Sequence, residues 1–97
     1  MKKGFICIPP IEDDSLWFKT RNDAIIALFE LGYTTYYQID ENPLSYEVKN
    51  DLEFLAELVR RMSYADGVYF CKGWDKHYRC KLLHTIATEY ELDIYYE

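Results

Sequence analysis

Residues 66–81 read Asp66-Gly-Val-Tyr-Phe-Cys-Lys-Gly-Trp-Asp-Lys-His-Tyr-Arg-Cys-Lys81. The first six read as a buried strand, because an apolar run follows Asp66. The Gly73-Trp74 pair marks a turn, and the residues from Lys76 onward begin a helix. A strand that leads through a short turn into a helix is the repeating unit of parallel sheets, because parallel strands need a crossover connection. This stretch therefore predicts an α/β protein.

The same alternation extends through the rest of the chain. The first helix has Asp13, Asp14 or Ser15 as candidate N-caps, and Gly32 lies at its C′ position. We predict a loop over 40–46, in which Ser45 caps a second helix whose apolar stripe starts at Val48. The predicted strands span 5–8, 33–39, 66–71 and 93–96, and the helices span about 15–31, 48–63 and 76–91.

The element order β-α-β-α-β-α-β predicts a small doubly wound, Rossmann- or flavodoxin-like sheet. Right-handed crossovers give the parallel strand order 2-1-3-4, with helices on both faces. At 97 residues, 49% of them hydrophobic and 18% aromatic, residues 1–97 are predicted to fold as one domain.

Four apolar residues before the first prolines are too few for a signal peptide, and no stretch has the length of a membrane span. We therefore expect a cytoplasmic protein, located in the host cytoplasm if the gene is viral. Three cysteines without CxxC spacing predict neither a disulfide framework nor a zinc site.

The charge is unevenly distributed. Residues 72–81 carry four cations and one acid, a net charge of +3, so the rest of a chain with net charge −6 must carry −9. A small basic island in an acidic protein favours a small anionic ligand, whereas nucleic acid or an anionic membrane would require a wide basic face. The alternative interpretation is a solvated basic surface without a ligand.

Ligands of doubly wound sheets bind outside the carboxyl ends of the strands, at the switch between strands 1 and 3. Residues 9–12, 40–46 and 72–79 would line that crevice, with unpaired helix N-terminal amides adding to the anion site. The predicted ligand-binding residues are Pro9, Asp51, Lys72, Gly73, Trp74, Lys76, His77, Arg79 and Lys81.

Three of the motifs allow two interpretations. Trp74 would stack on a nucleobase or cover the end of the sheet, and Asp51 would bind sugar hydroxyls or complement the helix dipole. His77 and Cys80, three residues apart, resemble an activated thiol, or with His84 a metal triad, but the third orienting group and the fourth ligand are missing. We therefore predict no metal, no cofactor and no catalytic residue there.

The pair Asn50-Asp51 and the run Ala65-Asp-Gly-Val-Tyr-Phe-Cys-Lys-Gly-Trp-Asp-Lys76 make the chain resemble the nucleoside 2-deoxyribosyltransferase-like family, in particular its small branch common in phages. The resemblance covers nearly the whole chain. It implies that Asp51 matches an acid that helps bind the sugar. The family's nucleophilic Glu falls on Leu83, which cannot form a glycosyl ester, and the nearest downstream acid is Glu89.

The resemblance implies a nucleoside pocket and a homodimer or higher homo-oligomer. Together with the basic island, it predicts a noncatalytic nucleotide-binding protein, for instance a phage sponge that sequesters an ADP-ribose-like or other nucleotide immune signal. Two alternatives stay open. One is a divergent nucleoside N-glycoside transferase or hydrolase that uses another carboxylate, such as Asp75 or Glu12, and the other is a small assembly module.

Overall fold

A computed structural model describes residues 1–35 and 51–97, and these ranges alternate between strand and helix as predicted. Residues 36–39 of the predicted second strand, the predicted loop at 40–46 with its cap Ser45, and Val48 lie outside the described residues. The elements are β1 (Lys2–Cys7), α1 (Asp14–Glu30), β2 (Tyr33–Thr35), α2 (Asp51–Met62), β3 (Gly67–Phe70), a 3₁₀ turn (Trp74–Lys76), α3 (Tyr78–Glu89) and β4 (Asp93–Tyr96).

The four strands form one parallel sheet in the order β2-β1-β3-β4, which confirms the predicted fold class. In the central pair, Cys7 at the end of β1 lies opposite Phe70 at the end of β3. These two strands lead into connections toward opposite edges of the sheet. Their carboxyl ends therefore define the switch point at which doubly wound folds bind ligands.

Helices cover the sheet on both faces. Phe5 and Cys7 of β1 pack in one core with α2 and α3, whereas Ile6 between them packs in a second core with α1. This alternation is the two-residue period of a strand buried on both sides. None of the described helices is long and apolar enough to span a membrane.

The ends of α1 have the chemistry that the sequence predicts. Among the three candidate caps, Asp13 is the N-cap, and its Oδ1 accepts a hydrogen bond from the Leu16 amide at 3.1 Å. Gly32 follows the helix with φ of +92°, a left-handed conformation that favours glycine.

The connection from β3 to α3 differs from the prediction of a helix that starts at Lys76. A 3₁₀ turn ends at Lys76, His77 is extended with φ of −119° and ψ of 130°, and α3 begins only at Tyr78. The extended backbone lets the His77 side chain fold back as the N-cap, with Nδ1 accepting from the Arg79 amide at 3.3 Å. Lys76 therefore precedes α3 and is not part of its first turn.

Candidate functional site

A cavity lies at the carboxyl end of β1, where the sequence places the ligand crevice. Its volume is about 40 Å³, enough for a few water molecules. Side chains from α1, α2 and α3 complete a wall that begins with β1 and the residues after it. The polar side chains on this wall are Arg21, His77 and Arg79, and the apolar ones include Phe5, Trp17, Phe54, Leu58 and Leu83.

Arg79 is held in place by an ion pair and by two aromatic rings. Only 11% of its side chain is exposed, and its Nη1 donates a hydrogen bond to Oδ1 of Asp51 at the start of α2. Its guanidinium carbon lies 4.9 Å from the ring centroid of Phe54 and 5.5 Å from that of Tyr78. The fold thus brings together two predicted site residues that are 28 positions apart in the sequence.

Asp51 is more accessible than its partner, with 48% of its side chain exposed. A hydrogen bond from the Tyr78 hydroxyl, followed by the hydrogen bond and charge of Arg79, lowers the pKa of Asp51 below its usual value. The carboxylate is therefore ionised at neutral pH. Asp51 acts here as the counter-ion of Arg79, and it is not among the described residues that line the cavity.

His77 lines the cavity as the N-cap of α3. Burial, and then the positive charge of Arg79, lower the pKa of its imidazole. Its neutral ring uses Nδ1 to accept from the Arg79 amide. The expectation of unpaired amides is therefore wrong for Arg79, because the imidazole occupies the donor that a phosphate would have used.

Trp17 and Arg21 are site residues that the sequence did not identify. Trp17 is 1% exposed and belongs to the core, but it also lines the cavity. Within the described part of the chain, its Nε1–H is the one buried side-chain polar atom without a hydrogen-bond partner. Buried indole N–H groups usually have an acceptor, so an unpaired one beside a cavity is unusual. Arg21 comes four residues after Trp17, and this helical spacing, which puts both on one face of α1, was the only sign in the sequence that they lie together.

Trp74 has a different environment from the one that a base-stacking role suggests. Its ring stacks on His84 with a centroid distance of 4.2 Å and an interplanar angle of 20°, and Phe70 and Tyr96 lie 5.3 and 5.8 Å away. Trp74 does not line the cavity. It packs toward the β4 side of the sheet, as in the alternative interpretation of a cover for the sheet end.

The other predicted site residues surround the cavity without lining it. Lys72, Lys76 and Lys81 are exposed, and these three described cations are not part of the cavity wall. Pro9 is buried, and a Cβ atom on Gly73 would lie 3.5 Å from its Cγ. Ligand binding by these residues stays a prediction.

The cysteines and histidines form no metal site in the described residues. His84 is engaged by the Tyr96 hydroxyl at 2.7 Å and by Trp74, while His77 caps α3, so the two imidazoles are committed elsewhere. Cys7 and Cys80 are buried free thiols that interact with each other on the cavity wall. Their mutual hydrogen bond lowers the pKa of Cys80 and, with burial, raises that of Cys7.

Comparison of the chain with protein-family models, curated proteins and solved structures gave no match. Membership of the deoxyribosyltransferase-like family therefore stays a prediction from the motifs in the sequence.

Proposed function

We propose that this protein binds a nucleotide or a related phosphorylated nucleoside at the carboxyl end of β1 and catalyses no reaction on it. The observations that carry the proposal are a cavity bordered by the cations Arg21 and Arg79, and the indole of Trp17 on its wall, whose buried Nε1–H has no partner among the described residues. An indole N–H and guanidinium groups are all donors to oxyanions or hydroxyls. Apolar walls beside such donors are typical of small-molecule sites.

The cavity volume limits how such a ligand is bound. About 40 Å³ accommodates one small group, such as a hydroxyl or part of a phosphate, and not a whole nucleotide. We expect one end of the ligand to enter the cavity while the remainder lies across its mouth.

The noncatalytic role is supported by the chemistry of the wall. Leu83 lines the cavity, and it stands at the position where the family that the sequence resembles has its nucleophilic Glu. No Asp or Glu is among the described lining residues. A carboxylate that attacks an anomeric carbon must reach the bound sugar. If the gene is viral, as the phage branch that the chain resembles suggests, such binding would sequester a nucleotide immune signal in the host cytoplasm, a step that rests on analogy.

A divergent nucleoside N-glycoside transferase or hydrolase is the second candidate. It is favoured by Asp51, which matches the sugar-binding acid of the family that the sequence resembles. Asp51 forms an ion pair with Arg79, which lines the cavity. Release of free base from a panel of nucleosides and nucleotides would support this candidate over simple binding.

Native mass spectrometry of the protein purified from cells tests the proposal directly, because a retained ligand appears as added mass. With the ligand or nucleotide identified in this way, calorimetry should find that Arg79→Ala weakens binding by about 1.5 to 3 kcal/mol, the range for losing a charge-assisted hydrogen bond. Lys2→Ala is the control, since it removes an exposed cation that is not among the predicted site residues. Equal affinities of wild type and Arg79→Ala would overturn the assignment of the anion site.

A further inference from the structure

The carboxylate of Asp51 already pairs with the guanidinium of Arg79, the group that an anionic ligand would bind. Arg79 lines the cavity with 11% of its side chain exposed, whereas the carboxylate of Asp51 is about half exposed. The Tyr78 hydroxyl lies beside the pair and accepts a hydrogen bond from Nη1 of Arg79 at 3.5 Å. In the described structure, Arg79 is therefore neutralised before any ligand arrives.

We propose that Asp51 is a built-in competitor, so that ligand binding exchanges its carboxylate for a phosphate on Arg79. This inference rests on the proposed function and deepens it by naming the determinant of specificity. A neutral nucleoside cannot replace a carboxylate on a buried guanidinium without leaving a charge unpaired. The site therefore selects phosphorylated nucleosides over unphosphorylated ones.

The difference in exposure between the partners sets the direction of the exchange. Once displaced, the Asp51 carboxylate can be hydrated at low cost because it already contacts water. Arg79 cannot leave so easily, because its guanidinium packs over Phe54 and would be costly to strand without a counter-ion. A phosphate dianion interacts more strongly with a guanidinium than a single carboxylate does, which favours the exchange.

The test compares wild type, Asp51→Asn and Glu53→Gln by calorimetry with AMP, adenosine and inorganic pyrophosphate at one pH and ionic strength. Glu53 is an exposed acid in the same first turn of α2, so its neutralisation matches the change in net charge and in helix-end charge. Asp51→Asn should tighten binding of AMP and pyrophosphate by about three- to fivefold, the effect of removing one partly exposed competing charge. Adenosine affinity should change by less than about twofold, and Glu53→Gln should resemble wild type for all three probes.

Tyr78→Phe provides a second variant in case Asp51→Asn folds poorly. It keeps the ring and removes the hydroxyl that lies beside the ion pair and favours the ionised form of Asp51, so AMP binding should tighten by a smaller factor, about twofold. If AMP binds wild type and Asp51→Asn equally, or if adenosine gains as much as AMP, the exchange is wrong while the binding site stands. If neither phosphorylated probe binds any of these proteins, the proposed function and the exchange both fail.

Discussion

The guanidinium of Arg79 has neighbours of two chemical kinds. The Asp51 carboxylate supplies the opposite charge, and the Phe54 ring, 4.9 Å away, supplies an aromatic face. A planar cation satisfies both at once, which a lysine ammonium could not do as well. The result is a cation that is held in place at the cavity but remains paired, so its orientation is already set when a ligand binds.

Leu83 gives a test of the cavity wall that does not require a ligand. It is 1% exposed within the core between the sheet and α3, so Leu83→Glu should destabilise the protein by about 3 kcal/mol or more by burying a carboxylate and losing apolar packing. Leu82→Glu is the neighbouring control, because Leu82 is 46% exposed and should cost less than about 1 kcal/mol. Urea denaturation measures both.

Equal stability of Leu83→Glu and wild type would contradict the buried position of Leu83. If Leu83→Glu folds, it should be assayed for slow N-glycosidic cleavage, because the variant places a glutamate where the family that the sequence resembles has its nucleophile. A crystal structure with the new carboxylate on the open surface, far from Asp51, would show that the alignment to the family is wrong.

The two tryptophans report on different places in the fold, and this makes them useful probes. The sequence predicts that a stacked base quenches Trp74, whereas in the structure it is Trp17 that lines the cavity. A nucleotide titration of Trp17→Phe and Trp74→Phe separates the two emissions. We expect quenching to survive in Trp74→Phe and to be lost in Trp17→Phe, since the group that enters the cavity meets the Trp17 indole. The reverse result would move the ligand to the Trp74–His84 stack.

In the connection between β3 and α3, the local sequence predicts the strand, the turn and the helix, but not the residue at which the helix begins. The apolar run, the glycine at φ of +94° and the helical stripe are local features, and the sequence predicts them. The break at His77 depends on a side chain folding back to cap Arg79. Histidine is not a preferred N-cap residue, so sequence patterns gave no sign of it.

The capping role of His77 makes α3 sensitive to pH. Because its pKa is lowered below 6.5 in the folded protein, the unfolded state binds more protons in the interval between the folded pKa and 6.5. Stability should therefore be fully present above that interval and fall as pH decreases through it. Protonation also removes the Nδ1 acceptor from the Arg79 amide.

Thermal unfolding of His77→Asn and His77→Ala at a series of pH values checks this. Asparagine keeps a capping acceptor without titrating, so His77→Asn should lose the wild-type decline near pH 6 while keeping most of the stability at pH 8. His77→Ala should cost about 0.5 to 2 kcal/mol at pH 8, the usual cost of a lost cap. An unchanged decline in His77→Asn would assign the pH dependence to other groups.

For the molecule as a whole, alternation and handedness were sufficient to predict the sheet order, because few topologies satisfy both. The polar side chains of the site were predicted only where they are adjacent in the sequence. His77 and Arg79 lie in one visible basic run, whereas Trp17 and Arg21 come to the same cavity from α1 through tertiary packing. The pairing of Arg79 with Asp51 likewise depends on how α2 lies beside α3, which no local pattern specifies.

The outer surface of α1 bears on the predicted homo-oligomer. Its core side carries Trp17, Ala24 and Leu28, yet Ile26 and Phe29 are 57% and 63% exposed. A helix that is apolar on more than one side is typical of an interface, since exposed apolar groups gain free energy when a partner covers them.

We therefore expect a homodimer or higher oligomer in which α1 takes part, and Phe29→Glu should shift it toward the monomer by placing a carboxylate in the apolar contact. Leu52→Glu is the control, because Leu52 of α2 is 73% exposed and a lone exposed leucine needs no partner. Sedimentation velocity over a concentration series measures the change, and circular dichroism of each variant confirms that it is folded.

A wild-type monomer at all concentrations would contradict the expectation outright. A stable oligomer in Phe29→Glu that Leu52→Glu disrupts would move the interface from α1 to α2.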